Sequence, residues 1–399
     1  MAVLTVGGLL AGCGGTASLQ EREVSRDEVR LGDAVFAAFL SPQSVSFSRG
    51  TTGYLLLVDK DGEFRTLRTE PMDNGQPVWT SDGLFFADSS HDFLLDDEGL
   101  SVVQSPKPDY QNALLEVGGS VVGVYNHGFV GDSGYRDVVV AYSEGASTTT
   151  AVEGDYGIVA DCDGELVGWS EVPGTLAESE GLPELDDESS TTRSVLSRLW
   201  PTDQEVLGVH DAEGSAGTAV VEAPCLDGVV HVLGSRTVGE QDSTGAYAMA
   251  PVLLSWSTVT GERVSHDLVD GMGEVLPLTV DHLSQAQYGS ASVEAGALRW
   301  LAPDGVVYST ELATGVTREL FRTGISQWDG RSASSVFTED GLYVLAGPGD
   351  GTGPLELVRY DLTDGTSEAV LAIDGVSSVL SVDLVLRGVA LDPAVSAAG

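Results

Sequence analysis

Between Leu355 and Leu371 the chain alternates apolar and polar residues, LELVRYDLTDGTSEAVL, around Asp364-Gly365. Period-two alternation marks a half-buried β-strand. Gly at the second turn position accepts φ > 0, so the stretch predicts a strand, a tight two-residue turn and a second strand. The device recurs at 253–268, LLSWSTVTGERVSHDL, and at 306–320, VVYSTELATGVTREL. Each copy has an aromatic (Trp256, Tyr308, Tyr360), a Thr-Gly or Asp-Gly turn and a strand ending in Leu. The turn glycines Gly261, Gly315 and Gly365 lie 54 and 50 residues apart, a period that belongs to propellers and arrays.

A second turn series interleaves with the first. Segments such as 78–88, VWTSDGLFFAD, and 335–346, SVFTEDGLYVLA, read as a strand, an Asp-Gly turn and a more apolar strand. The turn glycines are Gly83, Gly119, Gly164, Gly228, Gly296 and Gly341. One unit is therefore four antiparallel strands, the blade of a β-propeller, and its inner strands are expected to be the most apolar because they are buried between blades. Six units fall near 73–108, 109–153, 154–213, 214–270, 271–324 and 325–372. The hairpin at 54–67 and the strand-like 376–391 join as a seventh, removing open strand edges. The expected fold is all-β, a seven-bladed propeller of four-stranded antiparallel blades whose first blade is closed by both termini. Rings of six or eight blades, or a pair of β-sandwiches, are the alternatives. The apolar run Ala34 to Leu40 has no assigned place. Residues 171–198 and 235–247 read as surface insertions, the first acidic and Ser-rich near 174–192.

Charge narrows the partners. The 399 residues carry 19 basic and 61 acidic side chains, net −42, and Lys60 and Lys107 are the only lysines. Such a surface repels phosphates, so nucleic acid is excluded as a partner. It reads as a solubility device or as an acidic face toward cationic ligands.

Residues 2–12, AVLTVGGLLAG, are apolar but too short to span a bilayer. Leu10-Ala11-Gly12-Cys13 resembles the lipobox of bacterial lipoproteins, although no Lys or Arg precedes it. The resemblance implies a signal remnant at 1–12, lipid on Cys13, a polar tether over 13–32 and a propeller over 33–399. The charged part of the tether, Glu21 to Arg30, lacks an apolar stripe and need not fold. The resemblance also implies a location on the outer face of the cytoplasmic membrane. Setting Cys13 aside leaves Cys162 and Cys225, which end up at equivalent places in adjacent blades. They are either a disulfide, permitted in an oxidising compartment, or two buried thiols.

The search for chemistry assigns no catalytic, cofactor or metal residue. No G-x-S-x-G, phosphate loop or H-E-x-x-H occurs. His91, His127, His210, His231, His266 and His282 are scattered singly. Asp59-Lys60-Asp61-Gly62-Glu63 and Asp161-Cys162-Asp163-Gly164-Glu165 have Leu57 and Val159 where a calcium loop needs an oxygen ligand, so both read as hairpin turns.

The aromatic–x–x–x–T/D–G segments resemble the blade hairpins of quinoprotein-like and WD-like propellers. The docking Trp of the quinoprotein repeat is absent from 262–266, 316–320 and 366–370, so the resemblance supports no quinone cofactor. Two functions follow as expectations. One is a monomeric, membrane-anchored extracytoplasmic scaffold that binds a protein or small-molecule ligand. The other is an extracellular hydrolase or lyase with acidic residues at the channel mouth.

Overall fold

A computed structural model describes residues 17–42, 52–131, 134–143, 145–173, 192–211, 215–216, 222–238, 248–327, 333–348, 352–380 and 384–396. It contains seven sheets arranged as the blades of one propeller. Blade 1 takes β1 (Ala34–Ser41), β2 (Gly53–Asp59) and β3 (Phe64–Thr69) from the N-terminal side. Blade 2 holds β4 (Val78–Thr80), β5 (Gly83–Ala87), β6 (His91–Leu95) and β7 (Leu100–Gln104). Blade 3 holds β8 (Gln111–Val117), β9 (Ser120–Phe129), β10 (Tyr135–Ser143) and β11 (Ala146–Glu153). Blade 4 holds β12 (Ile158–Cys162), β13 (Glu165–Pro173), β14 (Thr192–Trp200) and β15 (Glu205–Asp211).

In blade 5 the innermost position is split between β16 (Ser215–Ala216) and β17 (Cys225–Leu226), both paired with β18 (Val229–Val238). β19 (Ala248–Ser257) and β20 (Arg263–Asp267) complete it. Blade 6 holds β21 (Val293–Glu294), β22 (Ala297–Leu301), β23 (Val306–Glu311) and β24 (Thr317–Arg322). Blade 7 holds β25 (Ala333–Thr338), β26 (Gly341–Ala346), β27 (Leu355–Tyr360) and β28 (Ser367–Ile373). The chain then returns to blade 1, where β29 (Val385–Leu391) pairs antiparallel with β1. The run Ala34 to Leu40, unplaced from sequence, is thus the second strand of the closing blade. It is buried nearly throughout because both faces pack on neighbouring blades.

In blades 1, 2 and 7 the second strand is more buried than the innermost one, whereas in blade 3 the innermost strand β8 is itself buried at all but one position. β5 and β26 are buried at every position, whereas β4 and β21 are short and partly open. The reason is position: the second strand is covered on both faces, while the innermost one borders the central channel.

The turns divide into two classes. Asp163-Gly164 and Asp227-Gly228 have φ > 0 at both residues, the two-residue hairpin expected. In blades 2 and 7 the loop is one residue earlier: Thr80 pairs Gly83 and Thr338 pairs Gly341, so these glycines begin the next strand. The outer Thr-Gly and Asp-Gly turns are not two-residue loops. In blade 7 the Asp361 amide donates to Thr366 and the Gly365 amide to Asp361, which encloses four residues. Blades 5 and 6 repeat this pattern at Gly261 and Gly315.

Three expectations about irregular segments are corrected. Residues 171–173 and 192–198 belong to β13 and β14, and 235–238 belong to β18. The acidic middle, 174–191, and residues 239–247 lie outside the described residues. The third correction is the tether. Residues 17–32 form a strap on the propeller, beginning with the short helix α1 (Ala17–Glu21). Leu19 is buried in the seam between blades 7 and 1, and Val29 in the seam between blades 1 and 2. Between them the Val24 amide donates to Thr66 of β3, and the Thr66 hydroxyl donates to the Leu19 carbonyl at 2.7 Å. Burial of these two aliphatic side chains favours the strap at about 25 cal/mol per Å2, and the backbone bonds to β3 keep its polar groups paired.

Candidate functional site

The innermost strands end on a central cavity of about 320 Å3. β29, β4, β8 and β25 supply part of the wall, with Leu386–Val389, Val78, Leu114 and Ser334–Phe337. The rest comes from the links that enter the inner strands: Gln76 before blade 2, Glu222 just before β17 in blade 5, and Gln287 to Ala291 before blade 6. Strand positions give the wall mainly apolar side chains, and the links give it most of its polar ones.

Those polar groups are held in place. Ser335 donates to Gln287 Oε1 at 2.5 Å, and the Gln76 amide donates to Gln111 Oε1 at 2.7 Å. Arg387 forms an ion pair with Asp73 and donates to the Pro42 carbonyl at 2.6 Å and to Asn74 Oδ1 at 3.3 Å. Its charge is therefore balanced beside the cavity, which limits what burying a guanidinium costs. Glu222 is raised above the usual carboxylate range, chiefly by burial; a hydrogen bond from Ser290 opposes the shift and Asp161 adds to it. The wall can offer amide, hydroxyl and carboxyl groups to a small polar ligand.

No histidine is among the lining residues. His91 bonds Asp88 at 3.2 Å, and His210 Nε2 accepts from the Arg263 amide. His231 is buried against Ser255 at 2.9 Å and pushed down to about 4 by burial. His282 bonds the Thr279 hydroxyl at 2.8 Å. Among the described residues no three of His, Cys, Asp and Glu converge on a point where a metal ion could sit. Asp59 Oδ1 accepts from the amides of Asp61 and Glu63, so this acidic stretch is a capped hairpin turn.

Cys162 and Cys225 form a disulfide with a Cα–Cα distance of 5.4 Å. It joins the ends of the innermost strands of blades 4 and 5. Beside it the Ala223 amide donates to Val159 at 2.7 Å, within a parallel bridge between Val159 and Glu222. The bond therefore holds the Glu222 segment against the cavity wall. Cys13 lies outside the described residues. No helix among the described residues is long and apolar enough to cross a membrane.

The cavity carries little signal in the sequence because most of its polar residues sit in links outside the repeat. The recurrence of a polar residue just ahead of an inner strand, as at Gln76 and Gln287, was the available signal.

Comparison with known proteins agrees on architecture. A family model described as the YycP β-propeller domain matches residues 30–156, which span the strands of blade 1 other than β29 and all of blades 2 and 3. No curated protein matches the sequence. A solved chimera of apocarotenoid oxygenase and RPE65 is 10% identical, with a TM-score of 0.50 over 91% of this chain and 93% of that one. A tryptophan-to-alanine variant of the Synechocystis apocarotenoid oxygenase is also 10% identical, with a TM-score of 0.47 over 87% of this chain and 91% of that one. At such identity the likeness is one of fold alone. The chain is a seven-bladed β-propeller, similar through its first three blades to the YycP propeller domain.

Proposed function

We propose that this protein is a lipid-anchored, extracytoplasmic propeller that binds a small molecule or an inserted segment of a partner at its central cavity. The observation that carries the binding reading is the open, polar cavity built from the links at Gln76, Glu222 and Gln287 beside Ser335 and Arg387. Concave sites with a few converging polar groups on a rigid scaffold are where propellers and other folds bind ligands. Leu10-Ala11-Gly12-Cys13 supports the anchor, and the Cys162–Cys225 disulfide is compatible with an oxidising compartment. No catalytic role is assigned to a wall residue.

The test is site-specific photo-crosslinking in intact cells. A photoreactive residue at Ser335, on the cavity wall, is compared with one at Glu368 on the exposed outer strand β28. An adduct formed at Ser335 and absent at Glu368 supports cavity binding. Identical adducts at both positions, or none at Ser335, overturn it. Fractionation of Cys13→Ser tests the anchor: release from the membrane fraction is expected, and retention counts against it.

A further inference from the structure

Resting on the lipid-anchor reading, we propose that the outer edge of blade 1, with the strap across it, is the face turned to an anionic bilayer surface. The ring then stands edge-on, with both ends of its channel open to the aqueous side.

The first ground is reach. Leu19 is fully buried between blades 7 and 1, six residues after Cys13. Six residues of fully extended chain span at most about 20 Å. An acyl chain on Cys13 therefore keeps this edge close to the headgroups, where the free tether expected from sequence would let the body tumble.

The second ground is that the strap is fastened along its length. Arg22 pairs with Glu63 at 2.8 Å, and its guanidinium lies 4.3 Å from the Phe64 ring centre. The Val24 amide donates to the Thr66 carbonyl, the Thr66 amide donates to the Arg22 carbonyl, and Arg65 donates to the Leu31 carbonyl at 2.5 Å. The Gly32 amide then donates to Asp97 of the blade 2 turn at 3.0 Å. The strap thus crosses the whole edge of the blade.

The third ground is charge. Residues 17–70 hold seven of the 19 basic residues against nine acidic ones, a net of −2, while the whole chain carries −42. Arg22, Arg26, Arg30 and Arg68 are exposed on the strap and β3. Nearly all of the excess negative charge lies in the rest of the sequence, beyond residues 17–70, and an anionic surface repels it. The edge nearest the anchor is the edge the membrane repels least.

The experiment uses the lipidated full-length protein in phosphatidylcholine–phosphatidylglycerol vesicles whose headgroups carry a spin label that quenches fluorescence. A fluorophore is placed on Asp61→Cys, at the outer turn of blade 1, or on Ser265→Cys, on the outer strand of blade 5; both sites are exposed. The native thiols are occupied, Cys13 by the anchor and the others by the disulfide, so only the new cysteine reacts. Quenching several-fold stronger at Asp61 than at Ser265 is expected. Inserting a long Gly-Ser linker between Thr16 and Ala17 leaves the folded body untouched and should erase that difference. Equal quenching at both sites in the unmodified tether, with the protein on the vesicles, overturns the orientation and leaves the anchor standing. An unchanged difference after the insertion also overturns it. Protein that does not associate with the vesicles removes the anchor reading and this inference together.

Discussion

Gly62, in the outer turn of blade 1, sits against the carbonyl of Ala372 in the outer strand of blade 7, so closely that a Cβ there would collide with the oxygen. The same relation recurs in blades 5, 6 and 7. Gly261 faces Leu207 of blade 4, Gly315 faces Asp267 of blade 5, and Gly365 faces the Phe321 ring of blade 6. These four outer turns thus lean on the preceding blade through a residue without a side chain.

Gly62→Ala should therefore open the seam between the first and last blades. Gly62 has φ +81°, which a side chain resists, and the methyl group meets backbone that cannot rotate away. A loss of roughly 2–4 kcal/mol is expected, read as a lower urea midpoint with an unchanged slope. An exposed glycine with open space, Gly131→Ala, should lose less because nothing lies near its Cβ.

The disulfide closes a loop of 63 residues, worth roughly 4 kcal/mol in the chain-entropy account. Cys162→Ser and Cys225→Ser should each lose about that much, and the double variant no more than either. Reductant should lower the melting temperature of the native protein and leave the variants unchanged.

Lys107 is one of two lysines, and its side chain is wholly buried between blades 2 and 3. It pairs with Asp92 at 3.1 Å and donates to the carbonyls of Ser105 and Asp88. Burial lowers its pKa, while Asp92 pulls it back up. Lys107→Met strands the Asp92 carboxylate and should cost roughly 3–5 kcal/mol. The double variant Lys107→Met, Asp92→Leu should recover part of that loss, measured by chemical denaturation as a coupling energy.

Asp137 gives the stability a pH dependence. Burial pushes its carboxyl up to about 8 and Asp155 adds to the shift, while the Tyr156 amide at 2.7 Å and Asn112 at 3.1 Å oppose it. Its folded value lies above the unfolded one, so its contribution is complete below about pH 4 and is lost as pH rises through about 8. The urea midpoint should fall between pH 5 and 8, and Asp137→Asn should flatten that part of the profile.

Much of the fold was legible because the repeat is written twice, once in each turn series. Six units follow from the two glycine series, and the shared first blade follows from the hairpin at 54–67 and the strand-like 376–391 left over at the two ends. Register was harder. Gly83 and Gly341 begin strands, since a glycine wanted for close approach to the third strand looks the same in sequence as one wanted for a turn. The strap was misread because Leu19, Val24, Val29 and Leu31 serve two different seams and so share no period. The cavity was illegible for a related reason. Most of its polar groups lie in links of unequal length, so a recurring polar residue such as Gln76 or Gln287 stands at no fixed offset from the strand it precedes.

Arg387 and Pro42 are bonded across the closing blade although 345 residues separate them. During synthesis the inner edge of β1 therefore stays bare until β29 has emerged. Until then a nascent chain carries three strands of its first blade with a sticky flank. Ribosome stalling or clipping anywhere before Val385 would leave that flank permanently exposed, so the emergence of β29 acts as the checkpoint for a closed ring.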